Sequence, residues 1–193
     1  MRVLELFKGT GSISKYFEDT DTEVISLDIL EKYKPTICCD IMEFDYKKYS
    51  VGYFDIIWAS PECKVYSQLQ YCWIGRKYES RKEIDNMRIE DSKYINRTIE
   101  IIDYLNPKYY FIENPLSSSI WKYIDNEKYL TNYVIVDYCH FGFSYKKPTK
   151  ILTNKKLDNK RCKCKTHKRP FQHTGKIDER YSMPQPLLKY LFN

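Results

Sequence analysis

The fold of this protein is decided by residues 3–12, which read VLELFKGTGS. The apolar run at 3–7 predicts a buried strand, and Ile13 begins a helix-like pattern directly after it. Gly9 and Gly11 lie at the turn between them, where glycine permits a sharp bend and a close approach of a ligand to the helix N-terminus. Any tight turn can use a lone Gly-x-Gly pair, so the strands that follow have to be considered with it.

Two further short strands are predicted, and each is followed by an aspartate. Residues 23–27 end at Asp28, about 20 residues after the glycines. At this position, a doubly wound α/β fold uses a carboxylate to hold a ribose. Residues 36–39 end at Asp40. Either aspartate could instead cap a helix. Three successive strand ends of this kind at one edge of a sheet nevertheless favour a cofactor that contains a nucleoside.

Residues 54–63, FDIIWASPEC, predict a fourth buried strand that ends in a Ser-Pro turn with Cys63 at its exit. A small buried cysteine after a turn would by itself need no functional explanation. A fifth strand at 108–112 ends at Glu113. The fourth and fifth strands of a doubly wound sheet are neighbours, and ligands bind outside their carboxyl ends. We therefore expect Cys63 and Glu113 to face one ligand.

Length and composition restrict the class of protein. The 193 residues are enough for one domain with a substantial core. No apolar run approaches the length of a transmembrane helix, so we expect no membrane partner. Seven cysteines without a secretory signal predict a reducing, intracellular compartment. The formal charge of +6 makes nucleic acid a reasonable partner without establishing it.

Two segments concentrate basic residues. Residues 64–90 mix tyrosines and a tryptophan with Lys and Arg, which suits either a mobile loop on a nucleic-acid backbone or an ordinary solvated loop. The apolar spacing of 95–105 predicts a core-facing helix after this loop. From 155 to 169, eight of fifteen residues are Lys or Arg. Both segments are candidates for phosphate contacts.

The second basic segment also contains candidate metal ligands. Cys162, Cys164 and His167 provide half or more of a zinc site, with Cys139 or His173 as a fourth ligand. The spacing C-x-C-x-x-H is not specific, and three such residues can lie together by coincidence. The hypothesis is a zinc ion on Cys139, Cys162, Cys164 and His167.

With the Cys63 and Glu113 segments both identified, the chain resembles the DNA cytosine-5 methyltransferases, in the short form encoded by phages and large viruses. The resemblance is collinear over nearly the whole chain. Glu62 differs from the proline that usually precedes the cysteine, and we expect its side chain to point away from Cys63. The matching segments are LFKGTG at 6–11, SPEC at 60–63, Glu113-Asn114, FGFSYKKPT at 141–149, and Met183-Pro184 with Leu187 and Leu188.

The resemblance implies a fold and a domain organisation. The fold class is α/β: a Rossmann-like class I S-adenosylmethionine-dependent methyltransferase with a mixed seven-stranded sheet and helices on both faces. Residues 1–193 would form a single methyltransferase domain. Residues 155–180 would be a basic insertion containing Cys and His before a closing helix that includes Leu187 and Leu188. This leaves no room for a separate target-recognition domain.

The resemblance also implies an activity, which is methyl transfer from S-adenosylmethionine to carbon 5 of a cytosine flipped out of DNA. Cys63 would be the nucleophile and Glu113 the acid. If the protein is viral, it would act in the host cell. Residues implied in cofactor binding are Phe7, Gly9, Gly11, Asp28, Ile29, Asp40 and Ser60.

Three alternatives stay open from the residues themselves. The Ser60-Pro61 pair also occurs in methyltransferases that act on exocyclic amino groups, although Glu113 would have no role in such an enzyme. A non-catalytic relative that binds nucleic acid would explain Glu62. RNA could replace DNA as substrate, because no residue of the sequence indicates which sugar is read.

Overall fold

The computed structural model describes residues 1–164 and 181–193, which form a seven-stranded sheet with helices on both faces. The predicted fold class is confirmed. The strands are β1 (Arg2–Leu6), β2 (Glu23–Asp28), β3 (Ile37–Cys38), β4 (Ile56–Ala59), β5 (Tyr109–Pro115), β6 (Tyr133–Asp137) and β7 (Pro148–Thr153). The helices are α1 (Ser12–Tyr16), α2 (Arg81–Leu105) and α3 (Gln185–Phe192). Short 3-10 turns connect several of these elements.

The strand order is β3-β2-β1-β4-β5-β7-β6. Strands β1 to β5 are parallel, whereas β7 runs antiparallel to both β5 and β6. The chain builds outward from β1 in one direction through β2 and β3, and then in the other through β4 and β5. Ligands bind where the order of an open sheet reverses in this way. The carboxyl ends of β1 and β4 are therefore the expected site.

Successive side chains along each strand alternate in direction, so the core is divided between the two faces of the sheet. Leu4, Leu6 and Ile57 pack on one face with the buried side of α2. Val3 and Trp58 pack on the other with α1 and α3. Because successive side chains of a strand point to opposite faces, a strand buried on both sides reads as one continuous apolar run. This explains why the short runs at 3–7 and 54–59 predict strands correctly.

Helix α2 begins much earlier than the sequence pattern predicts. The sequence pattern assigns residues 81–90 to a loop, but they form the first turns of this 25-residue helix. Ser80 caps it by accepting a hydrogen bond from the Glu83 amide at 3.3 Å. Ser80 and Glu83 have the spacing of a capping box, a signal that the apolar periodicity does not include. Ile84 and Arg88 continue the buried face of the helix, and the polar Arg88 interrupts the apolar periodicity between Ile84 and Ile95.

Within residues 1–164 and 181–193, no helix is both long enough and apolar enough to cross a membrane.

Candidate active site

Cys63 and Glu113 lie at the same edge of the sheet, as predicted. Strands β4 and β5 are parallel, with Ala59 opposite Ile112. Glu113 follows Ile112 directly within β5 and is only 8% exposed, whereas Cys63 is half-buried in the loop after β4. The two side chains are close enough for the Glu113 charge to raise the pKa of the Cys63 thiol. The register of two adjacent strands thus brings a thiol and a carboxyl group together.

Hydrogen bonds fix the loop that carries Cys63. The Asn114 side-chain amide donates to the Pro61 carbonyl at 2.9 Å, and Asn114 is fully buried. The Trp58 indole donates to Ser60 Oγ at 2.8 Å, and the Ser60 amide donates to the Leu6 carbonyl. These bonds connect the loop after β4 to β5 on one side and to β1 on the other.

The Cys63 thiol is protonated at neutral pH in the free protein. Burial is the largest cause that raises the pKa of Cys63 to about 11, and the charges of Glu113 and Glu62 raise it further. The Lys147 ammonium lowers it in part. The Glu62 carboxylate is exposed and accepts a hydrogen bond from the Lys64 amide at 3.0 Å. Glu62 therefore raises the pKa of the thiol through its charge, while one of its carboxylate oxygens accepts a hydrogen bond from the backbone.

Lys147 and Tyr138 complete the surroundings of Glu113, and neither was included in the expected site. Lys147 Nζ lies 3.8 Å from Glu113 Oε1 and 4.6 Å from the centre of the Tyr138 ring. The Tyr138 hydroxyl donates to the same Glu113 oxygen at 3.5 Å. Burial, followed by the Glu113 charge, raises the pKa of Tyr138 well above its usual value, so the hydroxyl keeps its proton. The lysine pair at 146–147 in the resembling segment was the only signal for Lys147 in the sequence.

The loop after β1 has the conformation that the glycines predict. Phe7, Gly9 and Gly11 have positive φ angles of 58°, 48° and 70°. The Gly9 amide donates to Asp28 Oδ2 at 2.8 Å, and the Leu30 amide donates to Asp28 Oδ1 at 2.8 Å. Asp28 thus connects the loop after β1 to the end of β2. Each of its carboxylate oxygens has one further lone pair, which leaves room for a ribose hydroxyl.

The remaining residues expected at the cofactor lie at the same edge. Ile29 follows β2 directly and is 62% exposed, which is unusual for a large apolar side chain. Asp40 is half-buried after β3, and its Oδ1 accepts a hydrogen bond from the Met42 amide at 2.9 Å. A backbone-lined turn, two carboxylates and an exposed apolar side chain fit a nucleoside with its ribose.

Glu5 is a buried acid that the sequence pattern indicates only as a charge within an apolar run. It is 2% exposed, and it accepts hydrogen bonds from the backbone amides of Ile13 and Ser14 and from the Ser14 hydroxyl. These amides belong to the first turn of α1, whose N–H groups have no partner within the helix. Burial raises the pKa of Glu5 despite these bonds. Glu5 therefore holds the first turn of α1, which follows the glycine loop, against β1.

The expected zinc ligands are only partly described. The Cys139 and Cys162 thiols are hydrogen-bonded, and the Cys164 amide donates to Cys162 Sγ at 3.1 Å. Burial and the bond with Cys162 raise the pKa of Cys139 to about 12. No set of three or more His, Cys, Asp or Glu in the described part of the chain could hold a metal ion. His167 and His173 lie outside the described residues, so zinc binding stays a prediction.

The sheet is doubly wound, and one of its edges combines a turn that fits a nucleoside with a thiol and a buried carboxyl group. These features define a Rossmann-like protein of the methyltransferase type. The chain is 31% identical over 158 residues to a protein of Frog virus 3 (isolate Goorha) named probable DNA (cytosine-5)-methyltransferase. The match covers 80% of this chain and 71% of the relative. The chain therefore belongs to the DNA (cytosine-5)-methyltransferase family. No family model matches the chain.

Solved structures agree with this fold. The Entamoeba histolytica methyltransferase EhMeth has a TM-score of 0.55 at 18% identity, covering 84% of this chain and 57% of its own. The S. pombe Dnmt2 methyltransferase has a TM-score of 0.55 at 14% identity, covering 82% of this chain and 52% of its own. The chain thus spans little more than half the length of these structures.

Proposed function

We propose that this protein transfers a methyl group from S-adenosylmethionine to carbon 5 of cytosine in DNA. The observation that carries the proposal is that Cys63, in the loop after β4, and Glu113, on β5, lie at the same end of two adjacent parallel strands. This end adjoins the glycine loop, at the point where the strand order reverses. Membership of the DNA (cytosine-5)-methyltransferase family supports the same reaction.

The chemistry explains why a thiol and a carboxylic acid are needed together. Carbon 5 of cytosine is a poor nucleophile until a thiolate adds at carbon 6 and converts the ring to an enamine. Cysteine suits this step because it is a strong nucleophile and a reasonable leaving group. Glu113 would bind ring nitrogen 3 and, as the acid, neutralise the negative charge that the addition places on the ring.

S-adenosylmethionine, when bound, supplies the methyl group that carbon 5 accepts. Asp28 would bind the ribose hydroxyls and Asp40 the adenine amino group, with Phe7 and Ile29 against the adenine ring. Gly9, Gly11 and Ser60 would contact the cofactor along the ends of β1 and β4. The carboxylates already hold the backbone turns around them, so little ordering is needed on binding.

Activation of Cys63 has to accompany binding of the target base. A thiol whose pKa is about 11 is ionised in only about one molecule in ten thousand at pH 7. Lys147 is the cation that favours the thiolate, and it also lies beside Glu113. We infer that Lys147 stabilises the negative charge that passes from sulfur to the ring during addition.

The target base has to leave the duplex to reach Cys63, at a cost of about a few kcal/mol. Phosphate contacts from basic side chains can offset this cost. We infer duplex DNA as the partner on the basis of the family, with RNA as the alternative substrate.

Labelled methyl transfer to DNA and to RNA tests the proposal, with Cys63→Ser as the control. We expect 5-methylcytosine in DNA from the natural protein and none from Cys63→Ser. Methylcytosine from the Cys63→Ser protein would contradict the nucleophile. Product on an exocyclic amino group, or in RNA alone, would replace the substrate and reaction proposed here.

A second candidate is a non-catalytic protein that binds nucleic acid, and the observation in its favour is the high pKa of Cys63 beside Glu62. It predicts cofactor and nucleic-acid binding without a methylated product on any substrate. The same transfer experiment distinguishes the two candidates.

A further inference from the structure

A polar cavity of about 330 Å³ lies among segments that follow β4 and β5 in the chain. Its walls come from three segments: the turn at 68–73, the first turns of α2, and the 3-10 turn at 119–122 that follows β5. The first of these segments begins five residues after Cys63 and the last begins six residues after Glu113. The cavity is thus formed between the two stretches of chain that leave the candidate catalytic residues.

The cavity has a net positive charge. Its one carboxylate, Asp85, accepts hydrogen bonds from the Tyr71 hydroxyl at 2.9 Å and from Arg88 Nη1 at 3.2 Å, and it is therefore neutralised. Arg81 and Lys122 also line the cavity, and both side chains are exposed. Neither forms an ion pair with a carboxylate in the part of the chain that the structure describes. Two cations are left for an anionic ligand.

The cavity favours a phosphate over a base. The guanidinium carbons of Arg81 and Arg88 lie 4.5 and 4.6 Å from the centre of the Tyr71 ring. A ring that already contacts two guanidinium groups has little face left on which a base could stack. The side chains that stay open to a ligand are therefore the charged ones, which recognise phosphate without reading sequence.

Hydrogen bonds order the wall of the cavity that Arg88 forms before any ligand binds. Arg88 is only 2% exposed, and it donates from Nε to the Val65 carbonyl at 3.1 Å and from Nη2 to the Ser67 carbonyl at 3.1 Å. The Tyr66 hydroxyl donates to the Arg88 carbonyl at 3.1 Å. These bonds fix the loop after Cys63 onto α2. A pre-ordered site loses little conformational entropy when it binds.

We propose that Arg81 and Lys122 form a binding site for the phosphodiester backbone of the nucleic-acid substrate, next to the nucleotide that enters the active site. The proposal rests on the proposed function for the identity of the substrate. The site would hold the nucleic-acid strand in a fixed position relative to Cys63. It would also supply part of the binding free energy that offsets the cost of base flipping.

The test is the salt dependence of binding to a fluorescently labelled DNA duplex that contains cytosine. The double variant Arg81→Ala/Lys122→Ala is compared with the natural protein and with Lys47→Ala/Lys48→Ala, which removes two exposed cations from the turn at 46–48 that precedes β4. Unfolding midpoints establish that each variant is folded.

We expect the slope of log affinity against log salt to fall by about 0.9 to 1.8 in the Arg81/Lys122 variant, because each phosphate contact contributes about 0.9. The KM for DNA should rise in parallel, and the Lys47/Lys48 variant should keep the natural slope. An unchanged slope and affinity in a folded Arg81/Lys122 variant would overturn the site while leaving methyl transfer untouched. A reduced slope in a protein that transfers no methyl group would support the site and contradict the proposed function instead.

Discussion

The side-chain amide of Asn114 donates to the carbonyl of Pro61 at 2.9 Å, and both residues are buried. This bond crosses from β5 to the loop after β4, so the residue next to Glu113 holds the turn that precedes Cys63. The Glu-Asn pair therefore has two separate roles in the structure, since one side chain faces the candidate site and the other fixes its geometry.

Replacing Asn114 by Ala should lower methyl transfer by about tenfold or more, because a small displacement of a reacting group is costly. The uncompensated Pro61 carbonyl should also reduce the free energy of unfolding by about 1–3 kcal/mol. Initial rates and urea unfolding measure the two effects. Asn86→Ala, an exposed change on α2, is the control. A fully active Asn114→Ala protein would contradict this role.

The pH dependence of Cys63 alkylation should follow the raised pKa of its thiol. Because that pKa is about 11, the rate should rise about tenfold per pH unit between about pH 7 and 9. Glu62→Gln removes a negative charge, lowers the pKa of Cys63 and should accelerate alkylation about two- to fivefold at a given pH. Mass spectrometry of the Cys63 peptide measures the rate, with Glu79→Gln as the control. A rate that is constant above pH 7 would show that the thiol is already ionised.

Lys147→Met should raise the pKa of Cys63 further, because Lys147 is the charge that lowers it. We expect slower alkylation and a loss of methyl transfer of about a hundredfold, with partial recovery in Lys147→Arg. Lys146→Met is the matched control, since Lys146 lies 3.8 Å from Asp137 rather than beside Glu113. Equal rates for Lys146→Met and Lys147→Met would remove the specific role of Lys147.

Stability should depend on pH through Glu5. Burial raises the pKa of Glu5 above its ordinary value of about 4.3, so the folded state binds the proton more tightly than the unfolded state. The free energy of unfolding should therefore fall as the pH rises above about 4.3, by at most about 1.4 kcal/mol per pH unit, until the folded-state pKa is passed. Urea unfolding of Glu5→Gln across this range should lack that decrease, whereas Glu23→Gln should keep it. A Glu5→Gln protein with the natural pH profile would assign the effect to another group.

Zinc binding is tested directly by metal analysis of protein purified without added zinc. The hypothesis predicts about one zinc ion per chain, lost on treatment with a chelator or in Cys162→Ser and retained in Cys72→Ser. Protein without bound zinc would reject the hypothesis and leave Cys139 and Cys162 as a hydrogen-bonded pair of thiols.

The sequence by itself determined the sheet, the glycine loop and the positions of Cys63 and Glu113. These depend on local information: apolar runs long enough for one buried strand, glycines where φ is positive, and reactive or charged side chains at or shortly after the end of each run. Residues 95–105 were likewise predicted as a helix from their apolar spacing. Where the polar Arg88 continues the buried face, the same periodicity failed, and the start of α2 was missed.

Only the tertiary structure decided which polar side chains act on the site. Lys147 follows Glu113 by more than thirty residues and reaches it because β7 returns antiparallel beside β5. Arg88 lies 25 residues beyond Cys63 and is buried because its guanidinium satisfies carbonyls of the loop after that cysteine. Burial and the neighbouring carboxylates likewise raise the pKa of Cys63 to about 11. A sequence indicates that a thiol follows a strand, but the charges and the desolvation that determine its reactivity come from residues distant along the chain.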